Sequence, residues 1–167
     1  MNKLLSRLRS TVVVFIAAFL VSASDKFALE YRPVLMTRDN MEAAIQWREC
    51  RDIEKPGKIW VYNDHIYVIE QYKGIHVIDN ADRRNPQNMG FIQLDGCTDV
   101  AVKDGLIYAN NAIDLICIQP DIDHSNVRVL NRTRNVLPEL APPDGSLISK
   151  FKRHRPEGSI IVRYELR

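Results

Sequence analysis

The sequence predicts a mainly β fold: two four-stranded antiparallel repeats that resemble propeller blades, with a short N-terminal helix and a C-terminal strand. Tyr67 and Tyr108, which are 41 residues apart, each lie in an Ile-Tyr segment that follows a polar two-residue turn. Further along each copy, an apolar run ends in a polar residue, at Asp79 and at Gln119. A repeat of about 40 residues made of short strands is typical of a propeller blade.

The predicted strands occur in the same order in both copies. Val, Ile, Tyr and Trp cluster between turns rich in Asn, Asp and Gly, which indicates short strands. A single copy has apolar side chains on both faces, so each sheet needs a neighbour against which to bury them. The strands are predicted at 58–62, 66–70, 74–79 and 90–94 in the first copy, and at 99–103, 106–110, 114–119 and 127–130 in the second.

The first residues match a secretory signal peptide. Three basic residues precede the apolar run 12–21, and residues 21–23 form a small-residue cleavage site. The run is too short to span a membrane comfortably, so we expect no stable membrane span after processing. Ser24 stands where a bacterial lipoprotein needs Cys, which favours a soluble periplasmic or secreted product over an outer-membrane-associated one.

Composition changes along the chain suggest its organisation. Residues 24–167 are enough for one domain with a core. Three of the 23 basic residues and none of the 21 acidic residues lie in the predicted signal, so the remainder is nearly neutral. This argues against nucleic acid as a partner. The predicted segments are a signal peptide at 1–23, a lead-in with a short helix at 24–56, repeats at 57–96 and 97–131, a Pro-rich and basic connection at 132–158, and a strand at 159–167.

The segments on either side of the repeats are expected to cover them. Asp39 can cap a helix over 40–46, which is too short to be stable alone and must dock on the repeats. Its natural contacts are Met41, Ala44 and Ile45. At the other end, alternation over 159–166 predicts a half-buried strand, which we expect to pair with an open edge of the repeat sheets.

The residues offer no catalytic motif and no metal site. The acidic loop 121–126 has oxygen ligands at alternate positions, but it lacks the central Gly and the final Glu of a calcium loop, so we interpret it as a solvated turn. The basic run 150–155 is likewise interpreted as solvated, with contact to phosphate or acidic glycans as the alternative. No cofactor is predicted.

The three cysteines leave an odd thiol in an oxidising compartment. Cys117 lies in an apolar strand and is predicted to be a small core residue. For Cys50 and Cys97, a disulfide and two free thiols are the alternatives, and free thiols are favoured.

Aromatic side chains are the candidate ligand-binding residues, because aromatics near propeller channel mouths stack on ligands. Alternation places Trp60 and Tyr62 on one face of their strand, with Ile59 and Val61 on the other. Packing between the sheets is the alternative role. The candidates are Trp60, Tyr62, Tyr67 and Tyr108.

The strand 74–79, with the Asn-Pro turn at 85–86, resembles the LVIVD-repeat family of β-propeller-like exported bacterial proteins, in a short form known from the Bacteroides group. Segments 31–36 and 56–59 are similar to that family's lead-in, so the resemblance covers about residues 31–130. The second copy departs from the pattern, since Gln119 replaces Asp and the Asn-Pro turn is missing. The resemblance implies a fold and an envelope location, and brings no catalytic residue.

Two hypotheses for function follow. The first is a non-catalytic, exported interaction module that presents a surface to a protein or glycan of the cell envelope. The second is a propeller-type hydrolase or lyase with residues gathered at a channel mouth. Closed propellers need about four to eight blades, more than this chain can supply. A ring of several chains and a fragment of a longer propeller are alternatives, but we predict a monomer in which two sheets pack together and the termini cap them.

Overall fold

The computed structural model describes residues 31–166, so the predicted signal peptide lies outside the described residues. No helix within 31–166 is long and apolar enough to cross a membrane. The elements are β1 (Tyr31–Met36), α1 (Arg38–Ala43), β2 (Gln46–Arg48), β3 (Pro56–Tyr62), β4 (His65–Glu70), β5 (Gly74–Asp79), β6 (Gln87–Gln93), β7 (Val100–Lys103), β8 (Leu106–Asn111), β9 (Asp114–Asp121), β10 (Asn126–Thr133), a 3₁₀ helix (Ile148–His154) and β11 (Ile160–Leu166).

The strands form two main antiparallel sheets. The first has five strands in the order β2-β6-β5-β4-β3, and the second has four in the order β10-β9-β8-β7. The prediction of a mainly β, antiparallel fold is confirmed, and the eight predicted strands are all present, with ends that differ by three residues or fewer. Nothing in this arrangement fixes the number of repeats or closes the sheets into a propeller.

Tight turns connect the first two strands of each predicted copy. Asn63 between β3 and β4 has a φ of 50°, and Asp104 and Gly105 between β7 and β8 have φ values of 53° and 75°. Asn, Asp and Gly tolerate this left-handed region, and such turns match the twist of paired strands. The turn residues therefore fix where each hairpin reverses.

The main core lies between the two sheets. Trp60 and Tyr62 pack against it, whereas Ile59 and Val61 point outward and are each 59% exposed, as the alternation predicted. Apolar side chains from both sheets meet there, which buries the faces that neither sheet could cover alone. The buried members are Tyr67, Ile69, Ile75, Val77, Ile92, Leu94, Cys97, Val100, Val102, Ile107, Ala109, Ile116 and Ile118.

The helix is shorter than predicted and has a different cap. Thr37 is the N-cap, with its hydroxyl oxygen accepting a hydrogen bond from the Asn40 amide at 3.3 Å, so Asp39 lies in the first turn instead. An acidic residue in the first turn still interacts favourably with the helix dipole. The helix stops at Ala43, because residues 46–48 pair with β6 as a fifth strand that the sequence did not predict.

The C-terminal strand is present, but its predicted pairing with an edge of the repeat sheets is wrong. β11 pairs with β1 in a separate two-stranded sheet. Met41 and Ala112 pack with Ile160 and Val162 in a second, smaller cluster, to which Val34 also contributes. β11 therefore pairs with the lead-in, which had not been predicted to contain a strand. Side chains of β1 and β11 pack against Met41 of α1.

The structure shows that the cysteines are free thiols and corrects the predicted core position of Cys117. Cys50, Cys97 and Cys117 are all free thiols, so the Cys50–Cys97 disulfide is not formed. Cys97 is the buried one, and burial raises the pKa of its thiol to about 12. Cys117 is only half-buried, because it faces away from the core beside Tyr108, its cross-strand partner.

Candidate functional site

A groove of about 840 Å³ lies at one end of the two main sheets, and we call it the acidic groove. Both sheets contribute to it where their strands begin or end. Its lining residues are Asp64, His65, Asp79, Ala81, Met89, Gln119, Pro120, Asp121, Ile122, Asp123, Asn126 and Arg128.

The first sheet brings its polar residues to the groove through strand register. His65 at the start of β4 lies opposite Asp79 at the end of β5, and Asp64 precedes it in the turn. The Asp64 carbonyl accepts a hydrogen bond from the Asn80 amide at 2.7 Å, which ties the turn to the end of β5. The Asp79 carboxylate accepts one from the Ala81 amide at 2.8 Å, so this aspartate also shapes the following loop.

The second sheet contributes the end of β9 and the turn into β10. The Asp121 carboxylate lies 2.9 Å from Nδ1 of His124, and Ser125 completes the turn with a φ of 49°. Arg128 donates a hydrogen bond to the Gln119 side chain at 2.7 Å. The loop that resembled a calcium site is thus one wall of the groove.

The charge of the groove is negative. Four aspartates line it, against the single arginine. The hydrogen bond from His124 holds the pKa of Asp121 below its ordinary value, and the same contact raises the pKa of His124. Carboxylates in a shared groove attract cations and disfavour anionic ligands. Across residues 31–166, no cluster of acidic, His and Cys side chains is arranged to hold a metal ion.

The predicted aromatic candidates lie outside the lining of the groove. Trp60 and Tyr67 are cross-strand partners on the inner face of the first sheet, where Tyr67 is 3% exposed and Tyr62 packs beside the core. Tyr108 is on the outer face of the second sheet. The structure therefore brings three of the four together as packing residues near His65, whose ring centroid lies 6.4 Å from that of Tyr67.

Sequence reasoning missed the groove as a site, although it named several of its residues. Asp79 and Gln119 were recognised as the polar ends of the two equivalent strands, and Asp64 as a turn residue. The signal that could have found the groove was that polar residues close the same strand in both copies. Such strand ends meet at one end of a pair of stacked sheets.

Comparison of the chain with protein-family models, with curated proteins and with solved structures gives no match. The resemblance to LVIVD-repeat proteins therefore stays a prediction.

Proposed function

We propose that this protein is a non-catalytic binding module exported to the bacterial cell envelope, and that its acidic groove takes a positively charged segment of a partner protein. The observation that carries the proposal is the groove itself, in which four aspartates from the ends of both sheets face one arginine. Export rests on the signal-like residues 1–23.

The side chains of the groove favour a basic peptide over an acidic glycan. Asp64 and Asp123 are exposed carboxylates that can each accept a hydrogen bond from Lys or Arg. Met89 and Ile122 add apolar surface to the groove, against which the methylene stem of a basic side chain can pack. Acidic glycans would meet the carboxylates unfavourably, so the partner is inferred to be a protein.

The test is a titration of the purified protein with a fluorescently labelled hexa-arginine peptide, followed by anisotropy. The double variant Asp64→Asn/Asp123→Asn should weaken binding about tenfold, since each exposed charge contact is worth up to about 1 kcal/mol. Added salt should weaken binding by the parent protein, because the contacts are solvent-screened.

A matched control removes the same charge elsewhere. Glu49→Gln/Glu157→Gln changes two exposed glutamates that do not line the groove, and it should leave the affinity unchanged. Equal weakening by both double variants would mean that net charge alone attracts the peptide. Either that result or an absence of binding by the parent protein would overturn the proposed site.

A hydrolase or lyase is the second candidate, because two histidines and four aspartates converge at the groove or its rim. The pair His124 and Asp121 is, however, open to solvent, with side-chain exposures of 80% and 50%, whereas acid–base catalysis is strongest where water is excluded. Hydrolysis of chromogenic ester or glycoside substrates that is lost in His65→Ala/His124→Ala would favour the enzyme.

A further inference from the structure

A second, smaller cavity of about 340 Å³ lies at the opposite end of the first sheet from the acidic groove. It is bounded by the end of β2, the β4–β5 turn and the end of β6. We call it the arginine cavity. Its lining residues are Arg48, Arg51, Lys73, Phe91, Gln93 and Asp95.

The two arginines of this cavity keep free donors. Arg48 donates from Nε to the neutral side chain of Gln93 at 3.0 Å, and no carboxylate of the described residues lies within 4.0 Å of it. Arg51 reaches Glu54 only at 3.9 Å, which is too long for a hydrogen bond. A guanidinium has five N–H donors, so most of those on Arg48 and Arg51 have no protein acceptor among the described residues.

The charges around the cavity do not cancel. Lys73 pairs with Glu54 at 2.7 Å, and Arg163 lies 3.9 Å from Asp95. Arg163 also donates to Glu165 at 3.0 Å, so Arg48, Arg51 and these two cationic side chains stand against three carboxylates. The cavity therefore keeps an excess of positive charge, which favours an anionic ligand.

The floor and one wall of the cavity are fixed. Phe91 is almost fully buried, and the Arg51 guanidinium stacks over its ring with 5.1 Å between the guanidinium carbon and the ring centroid. The irregular segment before β3 is held by the buried carboxylate of Glu70, which accepts hydrogen bonds from the amides of Glu54 at 2.9 Å and Lys55 at 2.7 Å. The backbone three residues beyond Arg51 is therefore fixed, and the Arg51 guanidinium lies over a buried ring.

Phe91 in turn rests on a buried polar group. The ring of His76 is fully buried, with its centroid 4.9 Å from that of Phe91, and its Nδ1 has no hydrogen-bond partner. A buried, unpaired ring nitrogen is costly in a site that serves packing alone. The His76 ring lies opposite Phe91 on the neighbouring strand and supports the floor of the cavity.

We propose that the arginine cavity binds a tetrahedral oxyanion, phosphate or sulfate, as the free ion or as the terminal group of a small ester. Arg48 and Arg51 donate to its oxygens from two sides, because the planar fork of arginine matches such oxygens best. Lys73 adds charge while it stays paired with Glu54. This site is separate from the acidic groove and does not depend on it.

The test uses the purified protein and NMR of the arginine Nε–Hε groups, with inorganic phosphate, inorganic sulfate, glucose 6-phosphate and glucose 6-sulfate as probes. The Arg48 and Arg51 signals should shift in a saturable way with at least one probe. Tighter binding of an ester than of its free ion would assign the cavity to esters, and equal affinity would assign it to the ion alone.

Three variants make the result specific to the cavity. Both cavity variants lack these arginine signals, so isothermal titration calorimetry compares every variant with the parent. Arg48→Gln/Arg51→Gln should weaken binding at least tenfold, and Arg48→Lys/Arg51→Lys, which keeps the charge but loses the fork, should fall between this variant and the parent. Arg83→Gln/Arg84→Gln removes two charges from the exposed β5–β6 loop and should change nothing. A thermal melt of each variant checks that it folds.

Two outcomes would overturn the proposal. One is that the loop variant Arg83→Gln/Arg84→Gln weakens binding as much as the cavity variant does, since the anions would then respond only to net charge. The other is that none of the four probes shifts the Arg48 and Arg51 signals in a saturable way.

Discussion

Asp114 is a fully buried carboxylate at the start of β9. Its Oδ2 accepts hydrogen bonds from Arg38 at 2.6 Å and from Arg132 at 2.8 Å, and its Oδ1 accepts one from the Asn135 amide at 2.9 Å. Burial would raise the pKa of Asp114, but these donors outweigh it and hold the pKa below its ordinary value. One side chain thereby joins α1, β9 and the end of β10.

Asp114→Asn should lower the free energy of unfolding by about 3–5 kcal/mol, because two guanidiniums lose their buried charge partner. Urea denaturation followed by circular dichroism measures this. Because the folded pKa of Asp114 is lowered, its contribution is complete above the unfolded pKa and is lost as the pH falls through the folded pKa, so the variant should lose less stability on acidification than the parent. The exposed Asp123→Asn should stay within about 0.5 kcal/mol of the parent. A loss under about 1 kcal/mol in Asp114→Asn would contradict this role.

His76 should make stability depend on pH near neutrality. Burial lowers its pKa below the ordinary 6.5, although the neighbouring Glu70 raises it. The unfolded chain therefore binds a proton that the folded chain does not, so stability is full above about pH 6.5 and falls as the pH drops below it.

Replacing this group should flatten that dependence. In His76→Gln, the loss of unfolding free energy between about pH 6.5 and 5 should shrink by up to about 1.4 kcal/mol per pH unit. Urea denaturation at several pH values gives the slope. His124→Gln, at an exposed histidine, should not flatten it. An unchanged slope in His76→Gln would assign the acid sensitivity to other groups.

None of these residue roles could be predicted from the sequence. Arg38 and Asp114 are 76 positions apart, and nothing local marks either as the partner of the other. His76 does lie inside the predicted strand 74–79, so its local structure followed from the sequence. The face of the sheet that holds His76 is covered by residues 49–55. These residues are attached to Glu70 by a tertiary contact, which the sequence does not reveal.

At the scale of elements, β2 depends on a close approach between Trp47 and Gly90 on β6. A Cβ at Gly90 would lie 2.4–2.5 Å from the Trp47 indole, so only glycine leaves room for the ring. Gly90→Ala should therefore displace Trp47 and destabilise the protein by about 1–3 kcal/mol. In a Trp60→Phe background, the Trp47 emission should shift to the red, and urea denaturation gives the stability.

The neighbouring residue supplies the control for β2. Met89→Ala changes an exposed side chain on the same strand and should alter neither the emission of Trp47 nor the stability by more than about 0.5 kcal/mol. If Gly90→Ala keeps both the parent emission and the parent stability, β2 does not depend on this contact.

The elements that the sequence predicted well are those with a clear period and a turn at each end. β3 and β4 alternate around Asn63, and β7 and β8 do so around Asp104. β2 has only three residues directly after a helix, which is too short to show a period. The acidic groove is harder still, because it arises from the ends of several strands that are distant in sequence.

At the scale of the molecule, the edges of the two sheets shield each other. β3 lies beside β7, where Lys58 forms an ion pair with Asp99 at 2.6 Å, and β10 lies beside β2. Unpaired strand edges otherwise invite association with other chains. These neighbouring edges therefore remove one route by which the chain could assemble.

Whether the protein is a monomer or a ring of several chains depends on the outer faces of the two main sheets. In a ring of blades, the outer face of the second sheet, with Tyr108 and Leu115, would have to stack on the outer face of the first sheet of the next copy. Part of that outer face is already occupied, because Glu70 holds the segment before β3 against it and Phe91 lies under Arg51, although Ile59 and Val61 on β3 stay exposed. Stacking would have to remove this cover.

We therefore expect residues 24–167 to be a monomer, as measured by light scattering after size-exclusion chromatography. The variant Glu70→Gln should loosen the segment at Glu54 and Lys55, because an amide accepts at only one of the two positions where the carboxylate now does. If this cover is what prevents stacking, the variant should self-associate as its concentration rises, and Glu157→Gln should not. A trimer or tetramer of the parent protein would show that the covered face is open in solution, and the ring would then be the better description.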